Sequence, residues 1–286
     1  MLAAASYFGG WDSLPGEPAT TIAMGFPVEG WKTSAAVVLR QSKRGAVTGE
    51  VYGAGREAER AWRQALAVVS LDADGTGFAA VGKRDPVIGE LQSRYPGVRP
   101  VLFHSPYEAA CGFLIGHRIS IAQGRAIRRR MAAELGAQVA TPHGVVSAFP
   151  TPQRLLEVDA VAGVPEAKIP RLHAAAQAAL DGVLDRESLR ALPLEDALAR
   201  VKSIPGIGPF FALGIVIRGA GTVDELSGDD VTLQAVKAAY KMCSLPSPGG
   251  MRELSDAWRP YRTWVNVLLH VWFRRDGGGP VRGRRG

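Results

Sequence analysis

The sequence is short of the residues that build covalent or metal scaffolds. Only two cysteines occur in 286 residues, Cys111 and Cys243, in different segments and with no C-x-x-C spacing. That excludes a disulfide framework and a four-cysteine zinc or iron–sulfur site, and it fits a reducing, cytosolic setting. The five histidines, His104, His117, His143, His173 and His270, show neither H-E-x-x-H nor any paired ligand spacing, so no side-chain metal site is expected. No uninterrupted apolar run of about 18 residues is present and no basic leader precedes the short apolar start, so neither a membrane span nor a signal peptide is expected. Asp72-Ala73-Asp74-Gly75 lacks the glycine and glutamate positions of a calcium loop and reads as a turn. No Gly-Lys-Ser/Thr follows a glycine-rich turn, which removes a Walker loop.

What remains is ordinary globular composition, 47% hydrophobic and 21% charged. Lys+Arg 34 against Asp+Glu 27 gives a net charge of +7 and a pI near 9.7. An anionic partner follows, nucleic acid ahead of an acidic membrane surface. The excess is uneven. The end of the chain, RRDGGGPVRGRRG, holds five arginines against one aspartate, and Arg125, Arg128, Arg129 and Arg130 form a second cluster that reads first as a solvated helix face.

From Thr20 to Gly53 the segments TTIAMGF, SAAVVLRQ and AVTGEVYG are short, rich in β-branched residues and broken by Pro27, Gly30 and the Ser42–Gly45 turn residues, the pattern of strands and hairpins. Glu57 to Leu71 has helical spacing, and a last strand is expected at GFAAVG. Beyond Asp85 the periodicity is helical. PVIGELQSRY opens on Pro86, one long helix runs from the Ser105-Pro106 cap to about Leu135, and further helices are expected at 153–158, 166–184, 194–203, 210–218, 230–240 and 255–274. The fold class expected is α+β: a small mixed α/β N-terminal layer over residues 1–84, an all-α bundle over 85–274, and a flexible basic tail over 275–286.

The most informative stretch is IPGIGPFFALGIVIRGAG, with a predicted helix on each side of Pro205-Gly206-Ile207-Gly208. Two glycines one residue apart permit a tight turn with exposed N–H groups and admit a phosphate at the positive end of the following helix. A helix, a P-G-I-G hairpin and a second helix form a backbone clamp that positions duplex DNA without reading bases. A monovalent cation can assist it on hairpin carbonyls, here those of Ile204 and Gly206. A glycine-rich turn between helices with no ligand has the same pattern. Downstream, in LSGDDVTLQAVKAAY, Asp229 can cap a helix and leave Asp230 at the first helical position. A carboxylate held there suits stabilisation of an oxocarbenium-like sugar, and a simple double cap is the alternative.

The PGIG hairpin, GDDVTLQ, WRPYRTWVNVLLHVW, FPTPQRL and SPYEAACGFLIGHRIS together resemble the alkylation-repair 3-methyladenine DNA glycosylase II family of the helix-hairpin-helix superfamily, over most of residues 18–274. The resemblance implies a glycosylase bundle of two helical lobes with a cleft between them. It implies Asp230 as the catalytic aspartate, Phe210 and Trp272 as aromatic walls of a base pocket, and Gly206, Ile207 and Gly208 as the DNA anchor. Where the family has glutamine and an apolar wedge, this sequence has His117 and Arg118, so Arg118 is expected to plug the gap left by a flipped base and His117 to contact the orphaned base or a phosphate. Bifunctional members carry a lysine at the position of Phe210, so a monofunctional enzyme without lyase activity is implied. The implied partner is double-stranded DNA with alkylated bases, bound by a cytoplasmic, nucleoid-associated monomer without a cofactor. A non-catalytic damage-binding protein and an oxidised-base glycosylase are the alternatives.

Overall fold

Short apolar, β-branched runs build three antiparallel strands, β1 Thr21–Pro27, β2 Ser34–Gln41 and β3 Val47–Tyr52, in the order β1-β2-β3. Thr21 lies opposite Arg40 and Pro27 opposite Ser34, while Ala36 faces Tyr52 and Gln41 faces Val47. Ser34–Leu39 of the central strand are buried on both faces, which is why that strand reads as a continuous apolar run and not an alternating one. The computed structural model describes residue 18 and residues 20–276. The expected flexible basic tail therefore lies, from residue 277 on, outside the described residues.

The helices, in chain order, are α1 Ala58–Val68, α2 Phe78–Arg84, α3 Pro86–Arg94, α4 Pro106–Gly116, α5 Ile121–Leu135, α6 Pro152–Leu156, α7 Ile169–Leu180, α8 Arg186–Ala191, α9 Leu194–Lys202, α10 Pro209–Ile215, α11 Asp230–Ala239, α12 Pro248–Asp256 and α13 Arg262–Arg275. Their starts are written in the sequence. Asp85, Ser105, Ser120, Thr151, Asp185, Asp229 and Ser247 each accept a backbone N–H of the turn they open, and α3, α4, α6, α10 and α12 begin with proline, whose missing N–H costs nothing there.

Three expectations are corrected. GFAAVG is helix α2, not a strand, because Phe78 and Val81 fall on one helical face: Val81 is buried and the Phe78 ring meets Tyr261 and Trp264 at 5.6 and 5.3 Å. The single helix expected from Ser105 to Leu135 is two helices. Ser120 and Gln123 form a reciprocal capping box that opens α5 afresh. The helix expected over 255–274 is likewise divided, with Pro260 standing between α12 and α13. A two-stranded hairpin, β4 Gln138–Thr141 and β5 Gly144–Ser147, was not legible in the sequence. It packs on the first sheet so closely that a Cβ at Gly25 would come within 2.7 Å of the Ser147 carbonyl oxygen.

The described residues form two compact units interleaved in sequence. One takes the chain up to Asp72 together with Val101–Gly221, and the other takes Ala73–Pro100 together with the residues from Thr222 on. The boundary expected after residue 84 falls between α2 and α3, within the second unit. In the first unit Gln64 of α1 is buried with every bond made. Its amide donates to the carbonyls of Pro27 (3.1 Å) and His104 (2.9 Å) and accepts the Glu29 N–H at 2.9 Å, tying the sheet layer to the start of α4. Tyr107, Leu114, Leu172, Val201, Ala212 and Ile215 continue that core through the helices. In the second unit Asp85 caps α3 and also accepts the Trp258 indole N–H at 2.9 Å and the Tyr240 hydroxyl.

Candidate active site

Pro205 and Gly206 occupy the central positions of a turn closed by the Ile207 N–H donating to the Ile204 carbonyl at 3.1 Å. Gly206 has φ +89, the left-handed value that the second central residue of a type II turn needs. The Ile204 and Ile207 side chains are buried and peg the hairpin to the core. Ile207 thus pins the hairpin to the core, its N–H already taken by the turn. Nothing lies within 4 Å of where a Cβ at Gly208 would be. Helix α10 starts from that open position without a side-chain cap. Its first main-chain bond is the Ala212 N–H to the Gly208 carbonyl at 2.9 Å, so the N–H groups of Phe210 and Phe211 have no helical acceptor, an arrangement that suits an anion. The Ile204 carbonyl spends one lone pair on the turn and keeps the other. Among the described residues no group of His, Cys, Asp and Glu converges as a metal site.

Beside the hairpin runs an aromatic row that the sequence only half revealed. Phe210 is 65% exposed. Its ring lies 6.1 Å from Phe211, which meets Phe113 of α4 at 5.5 Å and His117 edge-on at 5.6 Å. Phe113 reaches this position because residue 214 is glycine: any Cβ there would collide with the Phe113 ring. Phe103, 6.0 Å from Phe113, is flanked by the guanidinium groups of Arg128 and Arg218 at 4.9 and 5.3 Å. Arg128 also pairs with Glu108. Burial pushes the Glu108 carboxyl up, but His104 and Arg128 beside it hold it below the usual carboxylate value.

Helix α4 ends in a second tight turn. His117 has φ −60 and ψ 122, Arg118 has φ +60, and the Ile119 N–H returns to the Gly116 carbonyl at 3.3 Å. This is type II geometry with arginine where glycine is favoured. Both His117 and Arg118 are exposed. The Lys168 ammonium donates to the carbonyls of Ile115 and His117, each at 2.9 Å.

In the other unit Asp229 caps α11. It accepts the Thr232 N–H at 3.0 Å, the Thr232 hydroxyl at 3.2 Å and the Ser227 hydroxyl at 2.6 Å. The Thr232 oxygen also lies 2.9 Å from His270 Nε2. With the hydroxyl proton directed at Asp229, that contact requires a proton on Nε2. Burial works to raise the Asp229 pKa, and the Ser227 bond, the His270 charge and the Thr232 bonds overcome it, so the carboxyl titrates below its ordinary value. Asp230, at the first helical position, is exposed and its side chain has no bond among the described residues. Trp272 on α13 is half-buried beside Phe273, with ring centroids 6.4 Å apart, whereas Trp264 and Val271 of the same helix are core. Phe210, His117 and Arg118 therefore belong to the unit that holds the hairpin, and Asp230 and Trp272 belong to the other.

A mixed antiparallel layer, a helical body and a Pro-Gly-Ile-Gly hairpin leading into an uncapped helix define the helix-hairpin-helix glycosylase fold. No family model matches the chain. Over 199 residues it is 29% identical to DNA-3-methyladenine glycosylase 2 of Escherichia coli, a match covering 65% of this chain and 64% of that protein. The chain thus matches a little under two thirds of that relative's length. In structure it resembles the 3-methyladenine DNA-glycosylase of Archaeoglobus fulgidus, with TM-score 0.79, 18% identity and coverage of 96% and 95% of the two chains. It also resembles an 8-oxoguanine glycosylase/lyase of Clostridium acetobutylicum, solved with double-stranded DNA, at TM-score 0.64, 16% identity and coverage of 88% and 87%. The chain thus has the fold of helix-hairpin-helix DNA glycosylases and is similar in sequence to DNA-3-methyladenine glycosylases. No described helix is long and apolar enough to cross a membrane.

Proposed function

We propose that this protein is a monofunctional glycosylase that hydrolyses the N-glycosidic bond of alkylated purines in duplex DNA and leaves an abasic site. The observation that carries the reading is the Asp229-Asp230 helix start. Asp229 is consumed as the cap, and Asp230 is left exposed at the helix N-terminus with no side-chain bond among the described residues. Such a carboxylate stabilises the positive charge that develops on the deoxyribose as the base departs.

A purine methylated at N3 or N7 is cationic, so it leaves as a neutral base when it takes the bonding electrons. No general acid is needed. Water then adds to C1′ and releases its proton to solvent. The exposed Phe210 ring offers a face to a flipped cationic base, a contact worth about 0.5–2 kcal/mol. Gly206 and Gly208 hold the DNA backbone, aided by a monovalent cation on the carbonyls of Ile204 and Gly206. By the family resemblance Phe210 takes the position of the bifunctional enzymes' Schiff-base lysine, and a ring without an amine supports hydrolysis with no covalent attack on the sugar. The protein acts as a monomer on DNA in the cytoplasm.

Duplexes carrying single 3-methyladenine, 7-methylguanine, hypoxanthine or 8-oxoguanine residues test the proposal. Release of the methylated purines is expected, with strand breaks only after alkali. Binding without release of any base would make the protein a damage-binding one, and release of 8-oxoguanine with direct nicking would place it with the oxidised-base enzymes.

A further inference from the structure

Lys168 and Arg118 both break a local rule, and Lys168 binds the turn that carries Arg118. Lys168 is the N-cap residue of α7 and makes no side-chain capping bond there. Caps favour Ser, Thr, Asp or Asn, and a cation at the positive end of a helix is unfavourable. Its ammonium instead turns to the C-terminus of α4, a helix with no basic residue of its own in the last turn, and binds the carbonyls of Ile115 and His117 at 2.9 Å each. A cation is favourable at that end. Burial and the nearby Arg171 charge hold the Lys168 pKa below the usual lysine value, so the site accepts an electrostatic cost to keep this contact. The turn it grips is the one in which Arg118 adopts φ +60, and strained residues persist where the surroundings over-determine them.

Arg171, one turn further along α7, lies against the hairpin. A Cβ at Gly206 would come within 2.7 Å of its Cδ. The first turn of one helix therefore reaches both the turn that carries Arg118 and the turn that carries the phosphate-facing glycines.

We propose that Lys168 is a positioning residue for nucleotide flipping: it locks the Gly116–Ile119 turn so that Arg118 is presented at a fixed distance from the Gly206 hairpin, with Arg171 fixing the hairpin end of the same helix. This rests on the glycosylase reading and on Arg118 as the plug. Lys168 touches neither base nor sugar, and its effect passes through Arg118.

The test uses full-length protein and a duplex with 2-aminopurine next to a non-hydrolysable abasic analogue, whose fluorescence reports unstacking, beside single-turnover excision of a methylated purine. Lys168→Met is expected to lower the unstacking signal and the single-turnover rate about tenfold with little change in DNA affinity. Lys168→Arg, which still reaches both carbonyls, restores both. In an Arg118→Ala background Lys168→Met causes no further loss. Wild-type unstacking and excision in Lys168→Met would overturn the inference, as would an equal further loss in the Arg118→Ala background, which marks a purely structural lysine. If Lys168→Met is poorly folded, Lys168→Arg against Arg118→Ala decides: a folded arginine variant as defective as Arg118→Ala also overturns it. Failure of wild-type protein to release any methylated base refutes the glycosylase reading separately, because the unstacking signal is measured without excision.

Discussion

Replacing Arg118 with glycine is expected to make the protein more stable and less active. Arg118 has φ +60 in a turn whose third position favours glycine. Left-handed backbone costs a non-glycine residue roughly 1–2 kcal/mol, while glycine adds roughly 0.5–1 kcal/mol of unfolded-chain entropy. The arginine side chain is exposed and makes no bond among the described residues, and the Lys168 bonds go to main-chain carbonyls that survive the substitution. Nothing else is lost, so Arg118→Gly should gain roughly 0.5–1 kcal/mol. At about 2–4 °C per kcal/mol for a chain of this size class, Tm rises by about 1–4 °C. Flipping a nucleotide costs a few kcal/mol. If the plug supplies about 1.4 kcal/mol of it, excision slows about tenfold. Calorimetry and single-turnover excision on the same preparation give both numbers. A fall in Tm would refute the strain argument, and an undiminished rate would refute the plug.

Gly206→Ala meets the opposite situation, a φ of +89 with Arg171 Cδ 2.7 Å from the new methyl. It should lose roughly 1–3 kcal/mol in urea unfolding and weaken binding to an abasic-analogue duplex in fluorescence anisotropy, and unchanged values in both would contradict the hairpin account. Asp229→Asn keeps a capping acceptor, so the cap itself changes little and the charge is isolated. The Asp229 pKa is lower in the folded state. Its charge-dependent stability is therefore present above the unfolded value of about 4 and is lost as pH falls through the folded value. Unfolding measured at several pH values should show wild type more stable than Asp229→Asn at neutral pH and the two converging on acidification, whereas a gap independent of pH would reject the sign.

What the sequence revealed follows the range of the forces involved. Helix starts are local: Ser105 and Asp229 each accept an N–H three residues on, and both stand where the residues placed them. The hairpin is local too, since Pro205, Gly206 and the buried Ile207 define it within four positions. Phe113 was not legible as a site residue because its ring position depends on the missing Cβ of Gly214, about a hundred residues further along the chain. Lys168 was hidden for the same reason, its partners being carbonyls some fifty residues earlier. The helical periodicity from Ser105 to Leu135 predicted a continuous helix, and the four-residue break from His117 to Ser120 leaves His117 and Arg118 exposed. The interleaving of the two units leaves no local mark at all.

The central claim is that a single exposed carboxylate at the start of α11 drives base release. Base release from methylated duplex DNA by wild type and Asp230→Asn, with folding checked by circular dichroism, tests it most directly. Removing a charge that acts on the transition state is expected to slow release about 10²-fold or more while DNA binding persists. Release by folded Asp230→Asn at the wild-type rate would contradict the account.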